Sequence, residues 1–248
     1  VLRFTGVAWD EGQHPHPDER FLTMVETAIS PVSGCADAAL SIRDCPLDQR
    51  IWITPGEYFD TATSSLNPYN NGYGFYVYGT LPMFLTRYVV EFIFQRSGFQ
   101  EMTQVGRPLS AIADLLVVLL VYVVAARLYD RRAALLAAAF SAATVLQIQQ
   151  AHFFTMDTFV SLFSMLAFYF AVRVALGENG AEQVSSQNEN ERWLALLRGA
   201  PLRLSLGFGL ALGLAVGSKI NAAPIAVMLP AAFLVRLADA PARQRERR

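Results

Sequence analysis

Pro108-Leu-Ser-Ala-Ile-Ala-Asp-Leu-Leu-Val-Val-Leu-Leu-Val-Tyr-Val-Val-Ala-Ala126 carries one charge, Asp114, in an otherwise apolar run. A bilayer core about 30 Å thick takes about 20 such residues as a helix. Ala133–Ala151 follows with no charge at all. Thr158–Val172, Leu204–Ser218 and Ile220–Val235 are also uncharged, though shorter, and need snorkelling flanks to reach across. Lys219, Asn221 and Pro224 interrupt the last two, so they read as a hairpin and not as one long helix. The expected spans are 108–126, 133–151, 157–173, 203–218 and 221–236.

The composition agrees. The 248 residues are 53% hydrophobic and 17% charged, with mean hydropathy +0.31. Soluble domains carry about 25% charged residues, so a soluble enzyme and a disordered chain are both excluded. The net charge of −1 offers nothing to a nucleic acid. The expected fold class is all-α: a polytopic membrane protein, a multi-helix transmembrane bundle. It carries one large polar segment, residues 1–107, and a tail at 239–248. Val1–Phe4 reads as the exit of a preceding membrane helix.

Arginines set the expected orientation. Arg127, Arg131 and Arg132 share one short loop. Arg173, Arg192, Arg198 and Arg203 flank loop 177–202, and Arg236, Arg243, Arg245, Arg247 and Arg248 follow the last span. Alternating spans put these three clusters on one side, which is then cytoplasmic. Residues 5–107, the 152–157 turn and Lys219, the single lysine of the chain, face the other side.

The polar segment holds two candidate juxtamembrane helices, about 18–29 and 79–96. In the second, Arg87 and Glu91 have the i,i+4 spacing of one helix face. An amphipathic helix lying in the interface suits that pattern better than a sixth span. Asp18 and Glu19 follow Pro17 at the start of the first helix, where acids suit the helix dipole. His14 and His16 beside these acids are weak metal-ligand candidates, because i,i+2 spacing in a Pro-rich loop specifies no ligand geometry. Cys35 and Cys45, outside the membrane, favour a disulfide over two free thiols. Asn67-Pro-Tyr-Asn-Asn-Gly-Tyr-Gly-Phe-Tyr-Val-Tyr78 is turn-rich and aromatic, suited to the headgroup level or to a sugar.

Charged groups in or at the membrane suggest function by default. Under this topology Asp18, Glu19, His152, Asp157 and Lys219 all lie at the outer boundary. Two acids and a lysine there can activate a hydroxyl and hold a phosphate, or can be unrelated helix ends.

In order along the chain stand His-Pro-Asp18-Glu19-Arg-Phe, the aromatic segment 67–96, Arg107-Pro-Leu-Ser-Ala, Arg127-Leu-Tyr-Asp-Arg-Arg132, Asp157 and the Gly-rich run ending in Lys219. That series resembles family 39 of the C-superfamily membrane glycosyltransferases: protein O-mannosyltransferases and lipid A aminoarabinose transferases. The resemblance covers nearly the whole chain. It implies an inverting transfer of a sugar from a polyprenyl-phosphate donor in membrane lipid to an acceptor hydroxyl. By the resemblance Asp18 is the base, with Glu19 beside it, and Asp157 lines the same cavity. Lys219 and Arg87 would neutralise the leaving phosphate, and Tyr69 and Asn67 would contact substrate. No nucleotide site and no firm cofactor is implied, and a divalent metal is left open without support from the sequence. The aminoarabinose transferases carry a lysine near the aromatic segment that this chain lacks. The rival reading, a transporter or lipid flippase, predicts broken helices in paired repeats.

Overall fold

The computed structural model describes residues 2–42, 44–95, 97–177 and 201–246. Its α-helices are α1 (Pro17–Ala28), α2 (Pro55–Phe59), α3 (Leu81–Phe94), α4 (Phe99–Leu128), α5 (Arg131–Ala143), α6 (Val145–Ala151), α7 (Met156–Leu176), α8 (Pro201–Ser218) and α9 (Met228–Glu246). A 3-10 segment, Ile220–Val227, joins the last two. The chain is an all-α polytopic membrane protein. A small antiparallel ribbon is added, β1 (Val32–Cys35) with β2 (Arg50–Trp52), in the register Val32↔Trp52 and Cys35↔Arg50.

Among the described residues, three helices are long and apolar enough to span a membrane: Phe99–Leu128, Met156–Leu176 and Ile220–Ala238. The segment expected as one span over 133–151 consists of two helices, α5 and α6, bent by 57° at their break, the geometry of a broken span or a re-entrant loop. The bend falls at Thr144, whose extended backbone ends the α-helical path before Val145. Leu202–Ser218 is apolar but shorter than a full span. Most of loop 177–202 and the end of the Arg-rich tail lie outside the described residues. Large apolar side chains stay exposed on these helices, among them Leu119, Phe140, Leu206, Leu210 and Leu234. Water would not tolerate that much exposed apolar surface, and lipid does.

The chain divides into two compact units. The first comprises residues 1–115 and 142–159. It has a small core of Val90, Met102 and Val105, and a disulfide, Cys35–Cys45, with Cα atoms 5.8 Å apart. α1 starts where the sequence permits: His16 Nδ1 accepts from Glu19 N at 3.4 Å, and Pro17 needs no hydrogen-bond acceptor in the first turn. α3 turns its charges inward. Arg87 and Glu91 are buried and paired with each other, and Arg50 closes a second ion pair to Glu91. Arg87 Nε also donates to Ile29 O at 3.0 Å, and Arg50 Nε to Cys45 O at 2.9 Å. The exposed side of α3 is Leu85, Tyr88, Phe92 and Ile93. Asp114, the charge inside the first apolar run, is paired with Arg3.

The second unit comprises residues 116–141 and 160–248. α7 supplies Ala167, Ala171 and Val174 to its core, α8 supplies Leu204, Phe208 and Ala211, and α9 supplies Ala232. Small residues let the helices approach: a Cβ on Gly207 would come within 2.6 Å of the Phe170 ring. Near the ends of α4 and α7, Arg127 and Arg173 lie 5.0 and 5.5 Å from the centroid of one ring, that of Tyr169.

Candidate active site: an exposed acid beside a buried clamp

Four stretches of the first unit meet at Arg107. The N-terminal turns wrap round Asp10, whose Oδ2 accepts from His14 N at 2.9 Å. Arg107, on α4, donates to Asp10 Oδ1 and Oδ2 at 2.8 and 2.7 Å and to Glu19 Oε1 and Oε2 at 2.7 and 2.8 Å. Its remaining N–H reaches Val7 O at 2.7 Å. All five guanidinium donors therefore have acceptors. Glu19 also accepts from Phe154 N at 2.9 Å, just ahead of α7. The approach of Phe154 depends on Gly106, where a Cβ would lie 2.5 Å from that ring. The guanidinium of Arg107 holds the Asp10 carboxyl well below the usual carboxylate range, against the opposing effect of burial.

The two adjacent acids of α1 have different surroundings. Glu19 is fully buried and held from three sides. Asp18, one position earlier, is half-buried and lies close enough to the Tyr78 phenol to influence it. Tyr78 also feels the charge of Asp157, which is exposed in the first turn of α7. Burial, then the nearness of Asp18, then the charges of Asp18 and Asp157 push the Tyr78 phenol up. Its ring leans on Phe21 and Tyr76, with centroids 6.1 and 6.0 Å away. Asp157 is thus exposed, and Asp18 and Tyr78 are half-buried, whereas Asp10, Arg107 and Glu19 form a buried cluster.

The other residues singled out in the sequence are dispersed. Arg87 is 3% exposed and bound to Glu91 and Ile29 O, so its charge is engaged inside the protein. Asn67 builds a turn: its Oδ1 accepts from Tyr69 N at 3.1 Å and its Nδ2 donates to Thr61 O at 2.8 Å. Tyr69 donates its hydroxyl to Tyr76 O at 3.0 Å and leaves its ring exposed. Lys219, in the second unit, caps the 3-10 segment. The His14 and His16 pair is split: His16 caps α1 and packs on Phe153, whereas His14 is buried against Phe99.

Sequence reasoning did not reach Asp10 or Tyr78. Asp10 lies in a run of turns with no periodicity. Tyr78 was one aromatic among many. The Arg107-Pro-Leu-Ser-Ala motif names no partner, and the two acids that bind Arg107 stand 88 and 97 residues upstream.

Residues 82–185 match the model of a family described as dolichyl-phosphate-mannose-protein mannosyltransferase. Over that stretch, less than half of the chain, the sequence is similar to this family of membrane glycosyltransferases. The matched stretch holds α3, Arg107 and Asp157, while Asp10, Asp18, Glu19 and Tyr78 lie outside it. No curated protein and no solved structure matches the chain.

Proposed function

We propose that the protein transfers a sugar, with inversion, from a polyprenyl-phosphate donor to an acceptor hydroxyl on the extracytoplasmic side of the membrane. The observation that carries this reading is the accessible acid pair around Tyr78, Asp18 and Asp157, beside a clamp that immobilises the start of α1. Asp18 takes the proton of the acceptor hydroxyl. The acceptor oxygen attacks the anomeric carbon, the bond from that carbon to the phosphate oxygen breaks, and polyprenyl phosphate leaves with the electron pair. Asp157 faces the developing positive charge on the sugar. Glu19 positions Asp18 through the clamp and does not exchange protons with the acceptor. The exposed ring of Tyr69 offers a stacking surface for the sugar, and Lys219 is a candidate for the lipid phosphate.

Two features support the placement at a membrane surface. The exposed face of α3, Leu85, Tyr88, Phe92 and Ile93, is apolar, as suits a helix lying at the lipid boundary. Phe59 and Phe75 add exposed rings to the same unit. The match of residues 82–185 to a mannosyltransferase family favours a transferase over a transporter or flippase. The test is transfer by the full-length protein in proteoliposomes, with a panel of polyprenyl-phosphate sugars against the matching nucleotide sugars. Transfer from the lipid-linked panel alone is expected. Transfer from nucleotide sugars alone would overturn the proposal.

A further inference from the structure

Three buried side chains converge next to the Arg107 guanidinium: Asp10, His14 and Glu19, respectively 7%, 3% and 0% exposed. His14 Nδ1 stands 3.9 Å from Asp10 Oδ2 and 3.9 Å from Glu19 Oε2. These separations are too long for hydrogen bonds, and among the described residues neither ring nitrogen of His14 has a hydrogen-bond partner. A buried imidazole left so is unusual, because native interiors pair such groups or hydrate them. Two carboxylates share one guanidinium, and the imidazole is the third buried polar side chain beside them.

We propose that Asp10, His14 and Glu19 bind a divalent cation of the Zn2+ class. His14 supplies Nδ1, each carboxylate supplies one oxygen, and water completes the shell. Donor atoms of the three residues already lie within 4.8 Å of one another. Zinc sits about 2.0–2.2 Å from imidazole nitrogen and carboxylate oxygen. Two such ligands are therefore roughly 3.0 Å apart at a right angle and roughly 4.2 Å apart in line. The two 3.9 Å gaps fall inside that range. Tetrahedral ligands are roughly 3.4 Å apart, so binding draws the imidazole inward by about half an ångström.

The lone pairs rank the ligands. Glu19 Oε2 accepts from Arg107 Nη2 at 2.8 Å and keeps a second lone pair. Asp10 Oδ2 already takes Arg107 Nη2 and His14 N, so Asp10 is the weaker carboxylate ligand. Arg107 fixes both carboxylates and so acts as the outer-shell group that orients them. A cavity of about 170 Å³, bordered by Asp10, His14, Gln100, Thr103, Gln104 and Arg107, gives room for water and for the entering ion. His16 is not among the converging donors, and its Nδ1 caps α1.

The experiment strips the purified full-length protein with a chelator and titrates it with Zn2+ alone. Its readouts are metal content and spectrum, so it stands or falls apart from sugar transfer. We expect one equivalent bound and a raised melting temperature. His14→Gln should bind at least about tenfold more weakly, since even an outer-shell loss costs about 10–100-fold, and His16→Gln should bind like wild type. X-ray absorption of the wild-type Zn2+ complex should show a single imidazole among oxygen ligands, a result that does not depend on any variant folding. Equal Zn2+ affinity in wild type and His14→Gln, or a shell with no imidazole, overturns the proposal.

Discussion

Arg107 and Glu19, 88 residues apart in the chain, form a two-point ion pair with Nε–Oε1 at 2.7 Å and Nη2–Oε2 at 2.8 Å. The pair ties the first turn of α1 to α4, and Phe154 N brings the entry of α7 to the same carboxylate. Two neighbouring acids thereby acquire different work: Glu19 holds the helix and Asp18 meets the solvent.

The first prediction separates them by stability. Removing one partner of a buried charge pair costs about 3–5 kcal/mol. Glu19→Gln leaves Arg107 with a neutral amide in place of one of its two carboxylates, and a marked fall in melting temperature is expected. Asp18→Asn should melt close to wild type. Thermal unfolding in detergent measures both. A Glu19→Gln variant as stable as wild type would show that the clamp is not structural.

The second concerns Glu26, which is fully buried on α1 with neither carboxylate oxygen partnered. Burial pushes its carboxyl well above the ordinary value of 4.5, with Arg87 opposing. The folded state therefore keeps a proton that the unfolded state releases. Stability attached to this group is complete below about pH 4.5 and declines as pH rises towards the folded pKa. Glu26→Gln should match wild type at acid pH. Above pH 4.5 it should gain on wild type by up to about 1.4 kcal/mol per unit. Melting curves between pH 4 and 8 test this, and parallel pH dependences in the two proteins would refute it.

Much of the architecture was legible because membrane helices are local objects. The uncharged runs read directly as helices, and Pro17 with Asp18 and Glu19 marked a helix start. The bend at Thr144 was hidden, since no Pro or Gly stands there to signal it. On α3 the spacing of Arg87 and Glu91 was visible, but not which side faced the protein. Their partner Arg50 is 41 residues from Glu91, and only the folded chain shows the charged face to be the inner one. Arg107 likewise looked like a flank of the first span, yet it is wholly engaged by Asp10, Val7 and Glu19. Long-range ion pairs leave no periodic trace in a sequence, so the clamp and the burial of His14 appear only in three dimensions.

The third prediction concerns orientation. Arg127 and Arg173 gather on one ring, Tyr169, as expected if the ends of α4 and α7 share the Arg-rich, cytoplasmic side. Both native cysteines are engaged in the disulfide, so single cysteines can be introduced into the native background. Ala62→Cys should react with an impermeant maleimide in intact cells, and Tyr129→Cys should react only after permeabilisation. The reverse pattern would invert the topology and remove Asp18 from the side where the acceptor arrives.

The most direct test of the central claim is the turnover of Asp18→Asn in the full-length protein with the lipid-linked donor it accepts. Asn keeps the shape of the side chain and removes the proton acceptor, and a general base contributes about 10²–10⁴-fold. The account predicts a fall of at least about a hundredfold in turnover, with an unchanged melting temperature and donor binding retained. A folded Asp18→Asn variant that transfers sugar at the wild-type rate would contradict it and leave Asp18 as a helix-start residue only.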